Sequence, residues 1–442
     1  GLDNLGYEKI NDLTLGHLRL SIIDLDIRSN QPFTFDKYKI VYNGEIYNFE
    51  TLKTELKEIG YNFNTESDTE VLIKGYDAWG IDLLAKLNGM FAFSIYDIEN
   101  NKVFSARDRL GVKPFYYYWK KGVFEICSQI APLINESSEI CDEAVSAYLD
   151  CGYVPSPLSI LQNVYKLQPG NYMHIDLASK TLEIESYWDL KKVQVNKISY
   201  SQAKEELHDL LKDAVKIRMR SDVPMGTFLS GGIDSALVSS IASKLSKDSI
   251  NTFTIAFEDP KYDESKVARK FSEVIRSKHN EHLCNATDVR NLISNLVKVY
   301  DEPFADVSAL PSLLLNKEAK KFVTVALSGD GGDESFLGYT NFDFLSKFMI
   351  ISKIPFAIRK LMAVFPWHYF VSARKATIKS ILKTNKPDEY SIKTFLGFDS
   401  IQNKENRLWF NKYLNFKNNS TNPLQRMADL NIKLWLENDS NV

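Results

Sequence analysis

Phe228-Leu229-Ser230-Gly231-Gly232-Ile233-Asp234-Ser235 decides how this chain is read. The string ends a short apolar run, Gly226 to Leu229, that reads as a strand, and it opens Asp234 to Leu245, which reads as a helix. Two glycines at a strand-to-helix turn let the backbone approach a ligand closely and leave amide N–H groups free. The helix start adds partial positive charge, and the combination suits phosphate. Ser230 and Ser235 can donate hydroxyls to phosphate oxygens. No lysine follows the glycines, so this is not a phosphate loop of the Gly-Lys-Ser/Thr kind. Asp234 would repel phosphate unless a cation lay between them, and so points to Mg²⁺. The bland alternative is an ordinary Gly-rich turn.

Outward from this string the pattern alternates. Ile250 to Phe257 reads as a strand, Glu264 to Lys278 as a helix, Glu281 to Cys284 as a strand and Asp288 to Tyr300 as a helix. Leu313 to Lys321 reads as a helix and Val323 to Leu327 as a buried strand. Such alternation predicts a doubly wound α/β parallel sheet, with ligands at the carboxyl ends of its strands. The last of these strands runs into Ala326-Leu327-Ser328-Gly329-Asp330-Gly331-Gly332-Asp333-Glu334. Three glycines and three carboxylates crowded after a strand cost stability through backbone entropy and like-charge repulsion. A bound cation and a close backbone–ligand approach would offset that cost. Asp333 is the second metal candidate and Asp330 an active-site acid; a solvated acidic turn is the alternative. Residues 340–442 read as helical and rich in aromatics.

Here the chain resembles a known family. Ser-Gly-Gly-Ile-Asp-Ser is similar to the pyrophosphate loop of the ATP-pyrophosphatases, and its pairing with Leu327 to Glu334 resembles the synthetase domain of glutamine-dependent asparagine synthetases. The resemblance implies that Ser230, Gly231, Gly232, Asp234 and Ser235 hold pyrophosphate and Mg²⁺, with Asp333 the other metal ligand. Leu229, Ile255, Ser328 and Gly329 would surround the AMP moiety, so ATP and Mg²⁺ are the implied cofactors. Some members carry Glu at the position of Asp330. Asp301 to Ala309 would border the acceptor site, whether the acceptor is aspartate or a sugar carboxylate.

The amino-terminal half resembles the glutaminase domain of the same family. Leu15 to Asp24 matches its glutamine-binding strand, which brings in Arg19, Ile22 and Ile23. Asn43-Gly44-Glu45-Ile46-Tyr47-Asn48 matches its oxyanion loop, Ser67 to Val71 its third motif, and Arg107 to Pro114 a further string. Glutamine carries an α-carboxylate that Arg19 can grip in bidentate fashion. It also carries an α-ammonium that Asp68 and Glu45 can bind. The Asn43 side chain and the Gly44 N–H can stabilise a tetrahedral oxyanion. The family's nucleophile is a cysteine at the mature amino terminus, and Gly1-Leu2-Asp3 matches a stretch after it. A family lysine lies shortly beyond the region matching Leu434 to Glu437. The chain is therefore expected to be cut at both ends, able to bind glutamine and ATP but inactive in both halves. Cys127, Cys141, Cys151 and Cys284 match no nucleophile position and read as buried small hydrophobes. A ligand-sensing relative without catalysis is the reading from a different class.

Locally, the first 120 residues alternate β-rich runs with turn signals. Lys39 to Tyr42 reads as a strand leading into a tight turn at Asn43-Gly44, and Phe49 to Ile59 as a helix stopped by Gly60. Met90 to Tyr96, Val103 to Ala106 and Phe115 to Trp119 read as strands. The expected layout is an α+β glutaminase sandwich of αββα type over 1–190, a polar linker at 191–199, and an ATP-pyrophosphatase domain over 200–442. That domain would begin with a helix, Ser201 to Arg220, whose apolar face is Leu207, Leu210, Leu211 and Val215.

Composition sets outer bounds. With 442 residues and 44% hydrophobic content, two domains are expected rather than one. The balance of 54 basic against 57 acidic residues, net −3, shows no basic excess of the kind nucleic acid requires. Four scattered cysteines form no Cys-x-x-Cys pair, which argues against zinc or a disulfide framework and for a reducing, cytoplasmic setting. No leader is expected. The apolar stretch Phe342 to Val371 is broken by Asp343, Lys347, Lys353, Arg359 and Lys360, so no membrane partner is expected. The resemblance leaves a homodimer open.

Overall fold

The computed structural model describes residues 3–190, 193, 197–364, 381–396, 422–434 and 436. Part of the expected linker at 191–199 lies outside the described residues, as do Gly1, Leu2, Trp435, Glu437 and much of the helical reading of 340–442.

The first half is built on a six-stranded antiparallel sheet in the order β11-β10-β6-β5-β4-β3. Its strands are β3 (Phe33–Phe35), β4 (Tyr38–Ile46), β5 (Gly89–Asp97), β6 (Lys102–Arg107), β10 (Asn171–Asp176) and β11 (Thr181–Ser186). β5 shows why the sheet is covered on both faces. Phe91, Phe93 and Ile95 point to one side, into a core with α1 (Phe49–Glu58), α2 (Asp68–Trp79) and α3 (Leu83–Lys86). Ala92 and Tyr96 point to the other, against Phe115, Tyr117 and Leu167. A three-stranded sheet, β8 (Val123–Cys127), β7 (Tyr116–Lys120) and β9 (Val164–Lys166), forms that second layer. The hairpin β1 (Asn4–Ile10) and β2 (Leu13–Arg19) packs beside it through Leu15. This is the α+β sandwich expected from the sequence.

One local reading is corrected. Asn43-Gly44 is not a turn. β4 runs through it, pairing Asn43 with Ala92 and Gly44 with Phe91. Glycine is required there by close approach: a Cβ on Gly44 would lie 2.2 Å from the Met90 carbonyl oxygen. The Asn-Gly signal for a hairpin is overridden by an uninterrupted ladder with β5.

The second half is a four-stranded parallel sheet in the order β14-β13-β12-β15, made of β12 (Met225–Phe228), β13 (Asn251–Phe257), β14 (Lys278–Cys284) and β15 (Val325–Leu327). Five helices surround it: α5 (Tyr200–Arg218), α6 (Ile233–Leu245), α7 (Ser265–Ile275), α8 (Ala286–Val299) and α9 (Ala309–Ala319). The sheet grows from β12 through β13 to β14 and then returns to place β15 on the other side of β12. In open parallel sheets ligands bind at such a reversal, here the carboxyl ends of β12 and β15.

Two further expectations are corrected. The helix expected over Glu264 to Lys278 stops at Ile275, where Arg276 takes a left-handed conformation (φ 55°), and β14 starts at Lys278. In α5, Val215 is buried as expected but Leu210 is 67% exposed, so the apolar face is narrower than its spacing suggested. Beyond β15 come α10 (Gly332–Phe336), α11 (Thr340–Ile351) and α12 (Phe356–Met362), and further helices at Pro387–Leu396 and Pro423–Asn431. Phe342, Leu345 and Phe348 of α11 form a core with Tyr390 and Met427 of the last two helices. Among the described residues no helix is long and apolar enough to cross a membrane.

Candidate functional sites

The loop 229–235 leaves the carboxyl end of β12 and the loop 328–334 that of its neighbour β15, so parallel pairing sets the two strings side by side. They touch: a Cβ on Gly329 would lie 2.8 Å from the Ser235 amide nitrogen, and one on Gly332 2.4 Å from Asp234 Oδ2. Only glycines allow this approach. Leu229 is anchored in the sheet, its N–H donating to the Phe253 carbonyl at 2.9 Å. Ser230 and Ser235 are hydroxyl neighbours at 2.8 Å, and the Ser230 N–H donates to Ser235 Oγ at 3.0 Å. Gly232 donates to Ser230 Oγ at 3.1 Å. Ile255 is half-buried on β13, the strand beside β12. In the second loop the Ser328 hydroxyl donates to Asp330 Oδ2 at 2.7 Å, which turns that carboxylate back over its own loop.

Asp234 and Asp333, one on each loop, are close enough for their charges to interact. Burial raises the Asp234 pKa, and the charge of Asp333 raises it further. Neither forms an ion pair among the described residues. Two neighbouring carboxylates without a cationic partner among the described residues are a donor set that suits a hard divalent cation. The residues therefore suit the Mg²⁺ expected from the sequence.

A residue not singled out from the sequence also enters this site. Glu264, immediately before α7, accepts the Gly231 N–H through Oε2 at 2.9 Å. A carboxylate thus sits on an amide of the loop expected to bind phosphate. Removing its charge should help anions. Glu264→Gln is expected to tighten pyrophosphate binding several-fold in a calorimetric titration, and weaker binding would mean that Glu264 serves the loop by ordering it.

In the amino-terminal half, α2 begins at Asp68, behind the Ser67 cap, and drives that carboxylate against β4. Asp68 Oδ2 accepts the Tyr42 hydroxyl at 2.9 Å and the Ile46 N–H at 3.0 Å. Asn43 and Glu45 are two apart on β4 and so share a face. Asn43 is half-buried and its side-chain amide has no hydrogen-bond partner among the described residues. Glu45 is buried, and its Oε1 has no partner among the described residues. Burial, reinforced by the nearby charge of Asp68 and opposed by Lys113, pushes the Glu45 carboxyl up to about 7. Burial likewise raises Asp68. Two buried acids that lack a hydrogen-bonded cation among the described residues have the chemistry that suits an ammonium group.

Arg19 has both terminal nitrogens bonded to the protein itself. Nη1 donates to the Asp26 carbonyl at 3.0 Å and to Asn30 Oδ1 at 2.9 Å, while Nη2 donates to the carbonyls of Ile23 (3.3 Å) and Asp24 (2.5 Å). The guanidinium shapes the loop 23–30, so a carboxylate would have to take over donors already engaged. Ile23 is in the core, and the Ile22 carbonyl accepts the Asp222 N–H at 3.0 Å. Arg107 and Asp108 act structurally. Arg107 donates to the carbonyls of Lys113, Leu167 and Gly111, and Asp108 accepts the N–H groups of Leu110, Val112 and Lys113. Their clasp fixes Lys113 beside Glu45. His17 bonds the Tyr42 carbonyl through Nε2 at 3.0 Å, and burial lowers its pKa to about 4.

None of the four cysteines is in a disulfide, and each is half-buried rather than fully buried. They lie on β8, before α4 (Asp142–Cys151), on α4 and on β14, none on the elements that carry Asn43, Glu45 and Asp68.

Stability should depend on pH through Glu45. Its folded pKa is raised, so between about 4.5 and 7 the unfolded chain gives up this proton first. Stability contributed by the neutral carboxyl is present at low pH and lost as pH rises through 7, by at most about 3 kcal/mol. Glu45→Gln should flatten this, gaining stability relative to the parent chain above pH 7. Parallel melting curves across pH 5–8 would contradict it.

Fold and sites together define a glutamine amidotransferase joined to an ATP-using synthase. Comparison with known proteins agrees: residues 1–188 match the glutamine amidotransferase domain and residues 206–441 match asparagine synthase. The chain is 40% identical over 378 residues to a putative glutamine-hydrolysing asparagine synthetase 2 of Methanocaldococcus jannaschii, covering 80% of this chain and 72% of that protein. It is 35% identical to the glutamine-hydrolysing asparagine synthetase 1 of Bacillus subtilis, covering 82% of this chain and 57% of that protein. It is also 31% identical to the amidase chry2 of Gibberella zeae, covering 74% of this chain and 51% of that protein. The chain spans between half and three quarters of the length of these relatives. It belongs to the asparagine synthase family, with a glutamine amidotransferase domain at its amino-terminal end.

Proposed function

We propose that the whole protein is a glutamine-hydrolysing asparagine synthase. Glutamine is held by its α-ammonium between Glu45 and Asp68, and Asn43 and Gly44 stabilise the oxyanion as water replaces its amide nitrogen, giving glutamate and ammonia. In the other half, a carboxylate oxygen of L-aspartate attacks the α-phosphorus of ATP. The bond between the α- and β-phosphates breaks, and pyrophosphate leaves onto the 230–235 loop. Ammonia then attacks the acyl carbon, the carbon–oxygen bond to AMP breaks, and the nitrogen loses a proton to give asparagine. Activation is needed because hydroxide is a poor leaving group and AMP a good one. Asp234 and Asp333 would hold Mg²⁺, which offsets phosphate charge when bound. Leu229, Ile255, Ser328 and Gly329 border the AMP moiety, and Asp330 serves as the active-site acid.

The observation that carries this reading is the contact of two Gly-rich acidic loops at adjacent carboxyl strand ends, with the charges of Asp234 and Asp333 close enough to interact. It is tested by supplying the whole protein with ATP, Mg²⁺, L-aspartate and glutamine labelled with ¹⁵N in its amide. Labelled asparagine is expected; labelled ammonia without asparagine would defeat the aspartate assignment. The same chemistry on another carboxylate acceptor, such as a sugar acid, is the second reading, kept because a relative named as an amidase matches as well.

A further inference from the structure

Residues 301–308 join α8 to α9, and α9 leads into β15. A helix feeding a parallel strand runs antiparallel to it, so the start of α9, and this segment with it, lies toward the carboxyl edge of the sheet. The segment is also bound to the other half of the molecule. Glu302 is nearly buried, its side chain 8% exposed, and Lys166 on β9 is 11% exposed; their charged atoms are 2.5 Å apart. Glu302 Oε1 accepts the Ile160 N–H at 2.7 Å, and Oε2 accepts the Tyr116 hydroxyl at 3.3 Å. Lys166 donates as well to the Val154 carbonyl at 2.6 Å. Asp301 Oδ2 accepts the Ile130 N–H at 2.6 Å, and the Ala305 N–H donates to the Gly152 carbonyl at 2.8 Å. Residues 301, 302 and 305 thus tie the segment to the layer formed by β7, β9 and the loops around them. Val307, just beyond, is 93% exposed and free to face a ligand.

We propose that Glu302, paired with Lys166, is a positioning residue that holds the acceptor-side segment 301–308 in place from the amino-terminal half. The assignment of this segment to the acceptor rests on the proposed function; its fixation by the ion pair does not. Two nearly buried charges that satisfy each other and two further donors hold one geometry, and removal of either leaves the other desolvated and unpaired. The sheet edge used by the acceptor is then set by the half that supplies ammonia. The phosphate loops on β12 and β15 have no part in this network.

Lys166→Met, Lys166→Arg and Glu302→Gln are compared with the parent chain by hydrogen–deuterium exchange, using strand residues 91–96 as an internal control. Lys166→Met and Glu302→Gln are expected to speed exchange over 301–309 at least tenfold while the control is unchanged, and Lys166→Arg to restore protection. Unchanged exchange over 301–309 overturns the proposal, as does an equal rise in the control, which would mean general loosening. In the whole protein with ammonium as nitrogen source, KM for L-aspartate is expected to rise tenfold or more in Lys166→Met, with KM for ATP within twofold. If KM for ATP rises as much, Glu302 does not act on the acceptor side. If the parent protein does not use aspartate, the acceptor assignment fails by itself, and the exchange result still decides whether the pair fixes the segment.

Discussion

Asp333→Asn in the whole protein is expected to lower pyrophosphate release from ATP by about a thousandfold or more, equivalent to roughly 4 kcal/mol of transition-state stabilisation. The substitution keeps shape and removes one charge from the Asp234–Asp333 pair. The sign of a second measurement separates a metal role from a structural one. Without a divalent cation the variant should bind pyrophosphate more tightly than the parent, because a like charge has gone. With Mg²⁺ present it should bind more weakly, because a ligand has gone. The raised pKa of Asp234, caused in part by Asp333, is the static sign of the same repulsion and should relax in the variant. Weakening under both conditions would assign Asp333 to loop structure.

Asp68→Asn should cost glutamine affinity about a hundredfold or more, near 3 kcal/mol, with little loss of fold. An asparagine oxygen can still accept from the Tyr42 hydroxyl and the Ile46 N–H, so the α2–β4 contact persists. What disappears is one of the two negative charges awaiting an ammonium. KM for glutamine should rise while ammonium-dependent synthesis stays unchanged, because the second site lies on another sheet. Glutamine binding should also weaken as pH falls below about 7, when Glu45 takes up its proton. An unchanged KM for glutamine in Asp68→Asn would sink the ammonium role.

The parallel sheet and both of its Gly-rich loops were legible because their information is local. A strand, a glycine turn and a helix follow one another within a short stretch of chain, and only glycine fits where the loops abut. Long-range partners were not legible. Glu264 lies 33 residues from Gly231 and Glu302 142 from Ile160, and nothing in the neighbouring sequence of either names that partner. Asn43-Gly44 misled for the opposite reason: its local turn preference is strong, but β5 supplies the ladder that keeps it extended. Arg19 was recognisable as a candidate cation but not for its four acceptors, which come from a loop that closes only in the folded chain. The end of α7 at Arg276 carries no glycine to announce it.

The most direct test of carboxylate adenylation follows the nucleotide. The whole protein is supplied with ATP, Mg²⁺, ammonium chloride and L-aspartate, and the products are resolved by phosphorus NMR. AMP and pyrophosphate in equal amounts, dependent on aspartate and matched by asparagine, is the expected result. ADP and orthophosphate would contradict cleavage between the α- and β-phosphates and, with it, the phosphate-binding role of the two loops.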